Sequence, residues 1–563
     1  MKMKKPLVIT GVVVAVVLLL ILCLPLFINA NQFKPTIETK LTAALGRQVA
    51  IGDIKLSIFS GGVTVSDISI ADDPAFSKSP FLTAKSLKVG VELIPLIFSK
   101  QVDVDSIAID SPDVNLIHGP GGKWNYSSLG ASASSTSPAA KTQSNSAANP
   151  PLSVKKLEIK NGKIVVSTAG SSQKPSVYEN VDLEASDLSY TTQFPFKLSA
   201  KGPGNAAIKV EGKAGPINPT DSSLTPLNAT VDVEHLDLAT TGFIDPSSGI
   251  AGILDFKADL NSDGKQMTSK GTVKINKLKA SAAGSPSTVP VNVDYATVYA
   301  LETQAGVLNQ ANVKIGNAVQ HLTGTYNLAA NPPKIDIKAN AQEMPLGDLE
   351  GFLPAVGVVL PSGSKLQGGT LTVNLTVVGP VDKPTVAGPV NISNAKLVGF
   401  SVKSKLGALG SFPGLGGGGG GNDTDIQTVS AVIRNDSSGT KVDSLNVVIP
   451  SIGSVTGNGT VSASGQLDFK MLANLAGGMG KVVGGVSTVG SGATGALGSL
   501  TGGGGSKDKS SGGGIPFTIK GTTSNPQVLP DIAAPVANVA KAAVVNPAKA
   551  VANPVGGLFK KKP

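Results

Sequence analysis

Apolar and polar residues alternate with a period of two along most of this chain. Leu87, Val89, Val91 and Leu93 alternate with Lys88, Gly90 and Glu92. Val102 and Val104 lead into Ile107 and Ile109, and Leu157 and Ile159 lead through Asn161-Gly162 to Ile164 and Val166. Later runs are Val231 and Val233; Leu254, Phe256, Ala258 and Leu260; Val273 and Ile275; Ile335 and Ile337; Leu371, Val373, Leu375 and Val377; and Leu445, Val447 and Ile449. Successive side chains of a strand point to opposite faces, so each run predicts a strand with one apolar and one wet face. Asn161-Gly162 predicts a two-residue hairpin turn, because both residues tolerate positive φ.

Helical spacing is rare. Phe33 to Leu45 predicts a helix with Ile37, Leu41, Ala44 and Leu45 on one face and Gly46 as its stop. Met344 to Leu353 predicts a short second one. Ile532 to Val545 predicts a third, with Ile532, Val536, Val539 and Ala543 in phase and Pro535 in the tolerant first turn. The expected fold class is therefore mainly β: an elongated, curved, mostly antiparallel, groove-like sheet with few helices.

A different pattern opens the chain. Lys2, Lys4 and Lys5 precede an uncharged apolar run from Leu7 to Ile28, and the next charge is Lys34. At about 1.5 Å per residue this run spans about 33 Å, enough for a bilayer core of about 30 Å. The residues expected to anchor it are Leu7, Val8, Ile9, Val12, Val13, Val14, Val16, Val17, Leu18, Leu19, Leu20, Ile21 and Leu22. Basic residues on the leading side place the N-terminus in the cytoplasm and the bulk beyond the membrane. A cleaved signal peptide has a shorter apolar core, about 7–15 residues, and a small residue where Ile28 stands in Ile28-Asn29-Ala30. An uncleaved single-pass anchor is expected.

Composition divides the rest. The stretches 130–150, 406–422 and 477–514 are rich in Ser, Ala or Gly and poor in large apolar residues, so they read as linkers that cannot offset their own ordering entropy. They separate a cytoplasmic tail (1–6), an anchor (7–28), an N-terminal block (29–129), a middle β-rich body (151–405), a C-terminal β block (423–476), a last strand and turn (515–530) and an Ala/Val/Pro tail (531–563). Lys560, Lys561 and Lys562 end that tail and are a candidate second membrane contact.

The formal charge of +10 is spread thinly over 563 residues, and aromatic residues make up 4%. No basic stripe carries stacking rings, so a nucleic-acid surface is not expected. The single cysteine, Cys23, lies in the apolar run, so no disulfide is expected in the exported part. His118, His235 and His321 have no metal-ligand spacing. Asp259-Leu260-Asn261-Ser262-Asp263-Gly264 copies half a calcium loop, but Lys270 stands where a bidentate Glu belongs, so a hairpin turn is expected. No nucleophile has a credible base. The chain reads as non-enzymatic, without cofactor or metal.

Several segments together resemble the AsmA family of bacterial envelope proteins. They are Phe33-Lys34-Pro35-Thr36-Ile37-Glu38; Leu45-Gly46-Arg47-Gln48-Val49-Ala50-Ile51; Val65 to Ile70 followed by Asp72-Asp73-Pro74-Ala75-Phe76; Ala84 to Leu93 with Pro95-Leu96; and Pro112 to Leu116. Gly121-Gly122-Lys123-Trp124-Asn125 is similar to a family element, with Trp and Asn in reversed order. Ile515 to Gly521, Asn525-Pro526 and Leu529-Pro530 are similar to its last strand and turn. The resemblance implies an inner-membrane protein of a diderm bacterium with its bulk in the periplasm, a role in outer-membrane lipid homeostasis, and a β-groove like that of chorein-type bridges, with phospholipid acyl chains as the partner.

On that reading the lipid-facing candidates are Leu87, Val89, Val91, Leu254, Phe256, Leu371, Val373, Leu375 and Val377. The residues alone leave two arrangements open: two sheets sealing each other, or one sheet whose apolar face stays free for a ligand. The alternative function is an assembly scaffold whose strand edges bind outer-membrane components.

Overall fold

The structure is a computed structural model that describes residues 30–57, 62–92, 104–119, 123–129, 153–218, 221–407, 421–475 and 515–531. The expected anchor at 7–28, most of the three linkers, the helix expected at 532–545 and Lys560, Lys561 and Lys562 lie outside the described residues. Among the described residues there are 25 strands and few, short helices, and no helix is long and apolar enough to cross a membrane. The chain divides into two compact units, Met1–Ile275 with Ala296–Gln304, and Asn276–Tyr295 with Ala305–Pro563.

In the first unit, helix α1 (Lys34–Leu45) leads into β1 (Val49–Ala50), β2 (Ile54–Ser57), β3 (Gly62–Ala71), β4 (Pro80–Val91), β5 (Val104–Asp110) and β6 (Asp113–His118). After these come β7 (Ser153–Thr168), β8 (Ser176–Ser189), β9 (Phe194–Gly202), β10 (Ala206–Ala214), β11 (Leu227–Asp237) and β12 (Ala251–Ser262). Each strand from β7 to β12 is antiparallel to the next. β5 and β6 both run parallel to β7, Ser106 beside Lys156 and Asp113 beside Lys163, so they are two halves of one extended run.

The hairpin expected at Asn161-Gly162 does not form. β7 continues straight through it for 16 residues. Asn161 takes φ 52°, opposite Ser111 at φ 49°, and its N–H donates to Asp182 Oδ1 at 2.8 Å. A single left-handed residue makes a bulge, which bends a strand without reversing it; the neighbours already paired on both sides of β7 complete the ladder instead.

This bulge belongs to a series. Left-handed residues recur in the four-residue pattern apolar, polar, left-handed polar, apolar or small. Examples are Val65-Ser66-Asp67-Ile68, Ala185-Ser186-Asp187-Leu188 and Val233-Glu234-His235-Leu236 in the first unit, and Ala341-Gln342-Glu343-Met344, Ile392-Ser393-Asn394-Ala395 and Val442-Asp443-Ser444-Leu445 in the second. The ladder shifts register at His235, Glu343 and Ser444, whereas at Asp67, Asp187 and Asn394 the partner strand slips in step; in each case the apolar side chains before and after stay on the same face. His235 and Glu343 donate their N–H to Asp255 Oδ1 and Thr372 Oγ1 of a neighbouring strand, as Asn161 does to Asp182. Left-handed backbone costs a β-branched residue about 1–2 kcal/mol and glycine nothing. Asn161→Val should therefore destabilise the first unit by about 1–2 kcal/mol in urea unfolding, while Asn161→Gly should be neutral within about 0.5 kcal/mol.

α1 closes the N-terminal edge of this sheet. Pro35 opens the helix, and Gly46 ends it at φ 66°, its N–H bonded to Thr42 O at 2.9 Å. The outward N–H groups of Val49, Ile51 and Ile54 donate to Thr42 Oγ1, Glu38 Oε1 and Asn31 Oδ1 at 2.9–3.0 Å. An edge strand with its donors occupied cannot template another chain. Ile37 and Leu45 pack on Ile51 and Ile54, whereas Leu41 is 40% exposed.

A buried polar clasp ties α1 to the strands. Arg47 donates to Asp72 Oδ1 (3.2 Å), Asn125 O (2.7 Å) and Ser128 Oγ (2.7 Å). Asn125, fully buried, donates to Asp72 Oδ2 and Asn115 O, and its Oδ1 accepts from the Ile117 N–H. The Gly-Gly-Lys-Trp-Asn element thus supplies the keystone of the clasp, and the position of Asn125 after Trp124 is the one the clasp requires. Ser128 also donates to Asp73 Oδ2 at 2.7 Å. That bond, then the Ala75 N–H and the Arg47 charge, hold the Asp73 carboxyl below the ordinary carboxylate range, against some desolvation. Because the folded value is depressed, this stabilisation is present above the unfolded value of about 3.9 and is lost as pH falls through the lower folded value. Acid titration of Trp124 emission should show loosening only below that range, and Asp73→Asn should remove the step.

In the second unit the strands are β15 (Ala305–Ile315), β16 (Ala318–Asn327), β17 (Lys334–Pro345), β18 (Lys365–Pro380), β19 (Thr385–Val398), β20 (Thr424–Asp436), β21 (Gly439–Ile449), β22 (Gly453–Ser462), β23 (Leu467–Leu475), β24 (Ile515–Gly521) and β25 (Pro526–Pro530), each antiparallel to the next. β13 (Gln266–Lys279) and β14 (Val291–Ala300) precede them in the chain. The helix expected from Met344 is shorter: Met344 and Pro345 finish β17, α2 covers Leu346–Leu349, and a 3-10 turn covers Leu353–Val356. Pro354 and Gly357, at φ 79°, prevent a longer helix. A last helix, α3, spans Val402–Gly407. Asp263, as expected, belongs to the β12–β13 turn, its Oδ1 accepting from the Lys265 and Gln266 N–H groups.

Candidate functional site

The strand registers assemble the isolated apolar runs into continuous rows. In the first unit Ile54, Val65, Leu87, Ile109, Ile159, Leu183, Leu198, Val210, Val231 and Ala258 lie side by side on successive strands. Leu56, Val63, Val89, Ile107, Leu157, Ala185, Phe196, Gly212, Ala229 and Leu260 form an adjacent row. Neither row contains a polar side chain across ten strands. Nine steps of about 4.8 Å make a band about 43 Å long.

The band is covered at its start and open beyond. Ile54 joins the core under α1, with Leu56, Val63 and Val65 packed around it. From β4 to β11 the large aliphatic members, Leu87, Ile109, Ile159, Leu183, Leu198, Val210 and Val231, are only half-buried; Ala185 and Ala229, lying low between bulkier neighbours, are the buried ones. Facing sheets in a sandwich bury such residues almost completely. Of the two arrangements the sequence left open, the described residues of this unit match the single open face.

The opposite face is polar and internally neutralised. Lys156 bridges Glu158 and Glu184 at 3.2 and 3.5 Å, Lys160 pairs with Glu158 at 3.0 Å, and Lys257 with Asp232 at 2.8 Å. The Asp232 hydrogen bond and charge raise the Lys257 pKa. A groove of about 1050 Å³ lies among these side chains, with Lys197, Lys209, Glu211, Asp259 and Lys270 along it. Its lining mixes lysines and carboxylates in nearly equal number, so it shows no large surplus of either sign for a charged ligand. The aliphatic band is the uncompensated surface, at about 25 cal/mol per Å² of apolar area left in water.

The second unit also aligns an aliphatic row, but Met344, Val455 and Ala473 in it are buried. Met344, Leu371, Ile392, Val429, Val447, Val455, Ala473 and Ile515 form one row from β17 to β24. α2 packs against β18, and Leu349 and Phe352 join Met344 and Val373 in a core.

The sequence-derived candidates fall within this pattern to different degrees. Leu87 and Val89 belong to the two rows, and Val91 pairs with Val104 at the strand end. Phe256 lies opposite Val233, and Leu254 opposite Leu236 past the His235 bulge, both on the band's face. Leu371 sits in the second unit's row; Leu375 and Val377 are half-buried beside Ala339 and Ile337. Val373 is 7% exposed beneath the α2 segment, so it is core rather than open surface. The sequence reading missed Ile159, Leu183, Leu198 and Val210 as site residues, because their strands looked no different from others. The missed signal was the apolar-polar-polar-apolar slip that keeps one face apolar through a bulge. Among the described residues no group of three or more His, Cys, Asp or Glu is placed to hold a metal ion.

A sequence model described as the AsmA family matches residues 3–368. The chain belongs to the AsmA family. Neither a search of curated proteins nor one of solved structures returned a match. The AsmA match covers the whole ten-strand band and the Arg47 clasp, and it ends inside β18. In this AsmA-family chain the second unit's own row runs past that point to Ile515.

Proposed function

We propose that this AsmA-family protein is a non-catalytic envelope component, anchored in a bacterial inner membrane by residues 7–28 with its bulk in the periplasm. Its apolar band holds or conducts phospholipid acyl chains between membranes and so serves outer-membrane lipid homeostasis. The observation that carries this reading is the pair of aliphatic rows, unbroken over ten strands and half-exposed from β4 to β11. Each buried CH₂ is worth about 0.8 kcal/mol, so a lipid tail leaves a bilayer only onto a comparably apolar path. The band exceeds the roughly 15 Å of half a hydrocarbon core, so it accommodates a tail along its length. No step of this kind needs a polar catalytic group.

Mass spectrometry of the purified protein should detect co-purifying phospholipid, and a photoreactive residue at Leu198 should cross-link to it. Absence of lipid on both counts rejects the reading. A second reading, strand-edge scaffolding of outer-membrane components, draws on β25. Among the described residues, β25 has none of the side-chain caps that α1 provides to β1 and β2, although α3 packs against it.

A further inference from the structure

One rim of the first unit concentrates aromatic residues in a chain that has few. The sole tryptophan, Trp124, stacks on Tyr126 at a centroid distance of 5.9 Å and packs against His118 at 5.0 Å and Phe243 at 5.7 Å. Phe243 also meets Tyr178 at 6.2 Å, and the Tyr178 hydroxyl donates to Thr241 O at 2.9 Å. Burial has raised the Tyr178 pKa, as expected for the ring that roots the cluster. Phe243 is 59% exposed and Tyr126 45%. Large rings held in place by their neighbours but turned to water mark a contact surface rather than a core.

Three exposed lysines stand around the rings. Lys78 in the β3–β4 turn, Lys123 beside Trp124 and Lys174 in the β7–β8 turn are exposed, and among the described residues none of them is in an ion pair, unlike Lys156, Lys160 and Lys257 on the polar face. The rim's carboxylates are occupied: Asp72 and Asp73 in the Arg47 clasp, Asp237 and Asp245 on the N–H groups of Ala239 and Ser247. Indole and phenol rings beside exposed lysines that are free of ion pairs fit an anionic lipid surface, where the rings settle at headgroup level and the lysines meet phosphates.

A bilayer is within reach. The apolar run Leu7–Ile28 ends two residues before Ala30, which starts a 3-10 turn (Ala30–Phe33) and is buried in the core with Val49, Ile51 and Ile54. α1, about 18 Å long, then leads directly to Arg47, which bonds to the Asn125 and Ser128 turn of the rim. We infer that the Trp124–Tyr126–Phe243 rim, with Lys78, Lys123 and Lys174, is a second membrane contact that docks the first unit on an anionic bilayer surface.

The chain carries its own reporter, because Trp124 is its only tryptophan. The full chain is reconstituted in vesicles of brominated phosphatidylcholine, alone or mixed equally with brominated phosphatidylglycerol. Strong quenching of Trp124 is expected in the anionic vesicles and little in the neutral ones. Each lysine contributes about a fivefold factor near an anionic surface. The triple variant Lys78→Gln, Lys123→Gln, Lys174→Gln, which leaves the ring packing intact, should lower the docking equilibrium about a hundredfold and abolish the quenching. Quenching that is equal in both vesicles, or unchanged in the triple variant, overturns the proposal; a lipid held on the apolar band is expected to give that lysine-independent signal. Free access of aqueous iodide to Trp124 in anionic vesicles overturns it as well.

Discussion

Leu183→Glu combined with Val231→Glu is expected to strip phospholipid from the protein while leaving it folded. The two positions lie in the same aliphatic row, on β8 and β11, with Leu198 and Val210 between them. Both native side chains are half-buried, so the backbone ladder does not depend on them, and the new carboxylates are three strands apart, about 14 Å, too far to repel strongly. For an acyl chain lying along the row the change is severe. A carboxylate facing hydrocarbon costs about 2.5–3.5 kcal/mol on insertion scales. One such site lowers occupancy about a hundredfold. Lipid per protein, counted by mass spectrometry against circular dichroism as the folding control, should fall by at least that much. Lys197→Gln, one residue from Leu198 but on the polar face, should leave the lipid content unchanged. Lipid content that survives the double variant would mean that the band is not where tails reside.

Arg47→Ala is expected to cost about 3–5 kcal/mol, the largest loss of stability from a single substitution in the N-terminal block. Arg47 and Asp72 have side chains 5% and 0% exposed, so removing the guanidinium leaves a buried carboxylate with only Asn125 and the Asp73 N–H to face. Asn125→Ala leaves Asp72 Oδ2, Asn115 O and the Ile117 N–H without partners, and should approach the same cost at about 1–3 kcal/mol per orphaned group, less what water recovers. Domains are typically stable by about 5–15 kcal/mol, so either change is a substantial fraction of the whole. Arg47→Lys should rescue little, because an ammonium cannot reach Asp72, Asn125 and Ser128 from one planar fork. Urea unfolding followed through Trp124, one residue from the clasp, measures all three. A loss below about 1 kcal/mol for Arg47→Ala would show that the clasp does not act as a unit.

The two expectations concern different layers of the same construction. The clasp and the side-chain caps on Val49, Ile51 and Ile54 close one edge of the sheet with polar groups that are fully satisfied. Beyond α1, no described element of the first unit covers the aliphatic rows from β4 to β11. On the proposed function, acyl chains take the place of the missing layer over the aliphatic rows that stay half-exposed past that end.

Much of this was legible in the residues. Leu87, Val89 and Val91 announced a strand with one apolar face, and that strand is β4. Phe33 to Leu45, with Gly46 behind it, announced the helix that became α1. Alternation is a local property: steric preference and burial act on the same few residues, so the signal survives without tertiary context. Where the reading failed, a choice between local solutions was settled by distant strands. Asn161-Gly162 suits a hairpin turn and a bulge equally well. The bulge prevailed because β5, β6 and β8 line both sides of β7 and complete its hydrogen bonds in extended form. Val373 looked like its neighbours Leu371 and Leu375, yet only Val373 of the three is fully buried in the core that Leu349 of α2 joins.

By itself, then, the amino-acid order determined the strand-rich class, the family, the polarity of each strand and the position of the first helix, since all of these depend on spacing within a few residues. Only the tertiary structure decided that side chains from ten strands stand in two aligned rows, that those rows stay open after α1, and that Arg47, Asp72 and Asn125, 78 residues apart at the extremes, share one buried site. Alignment across strands is set by the summed registers of many ladders and by a bulge at each slip of phase. No window of sequence contains that sum.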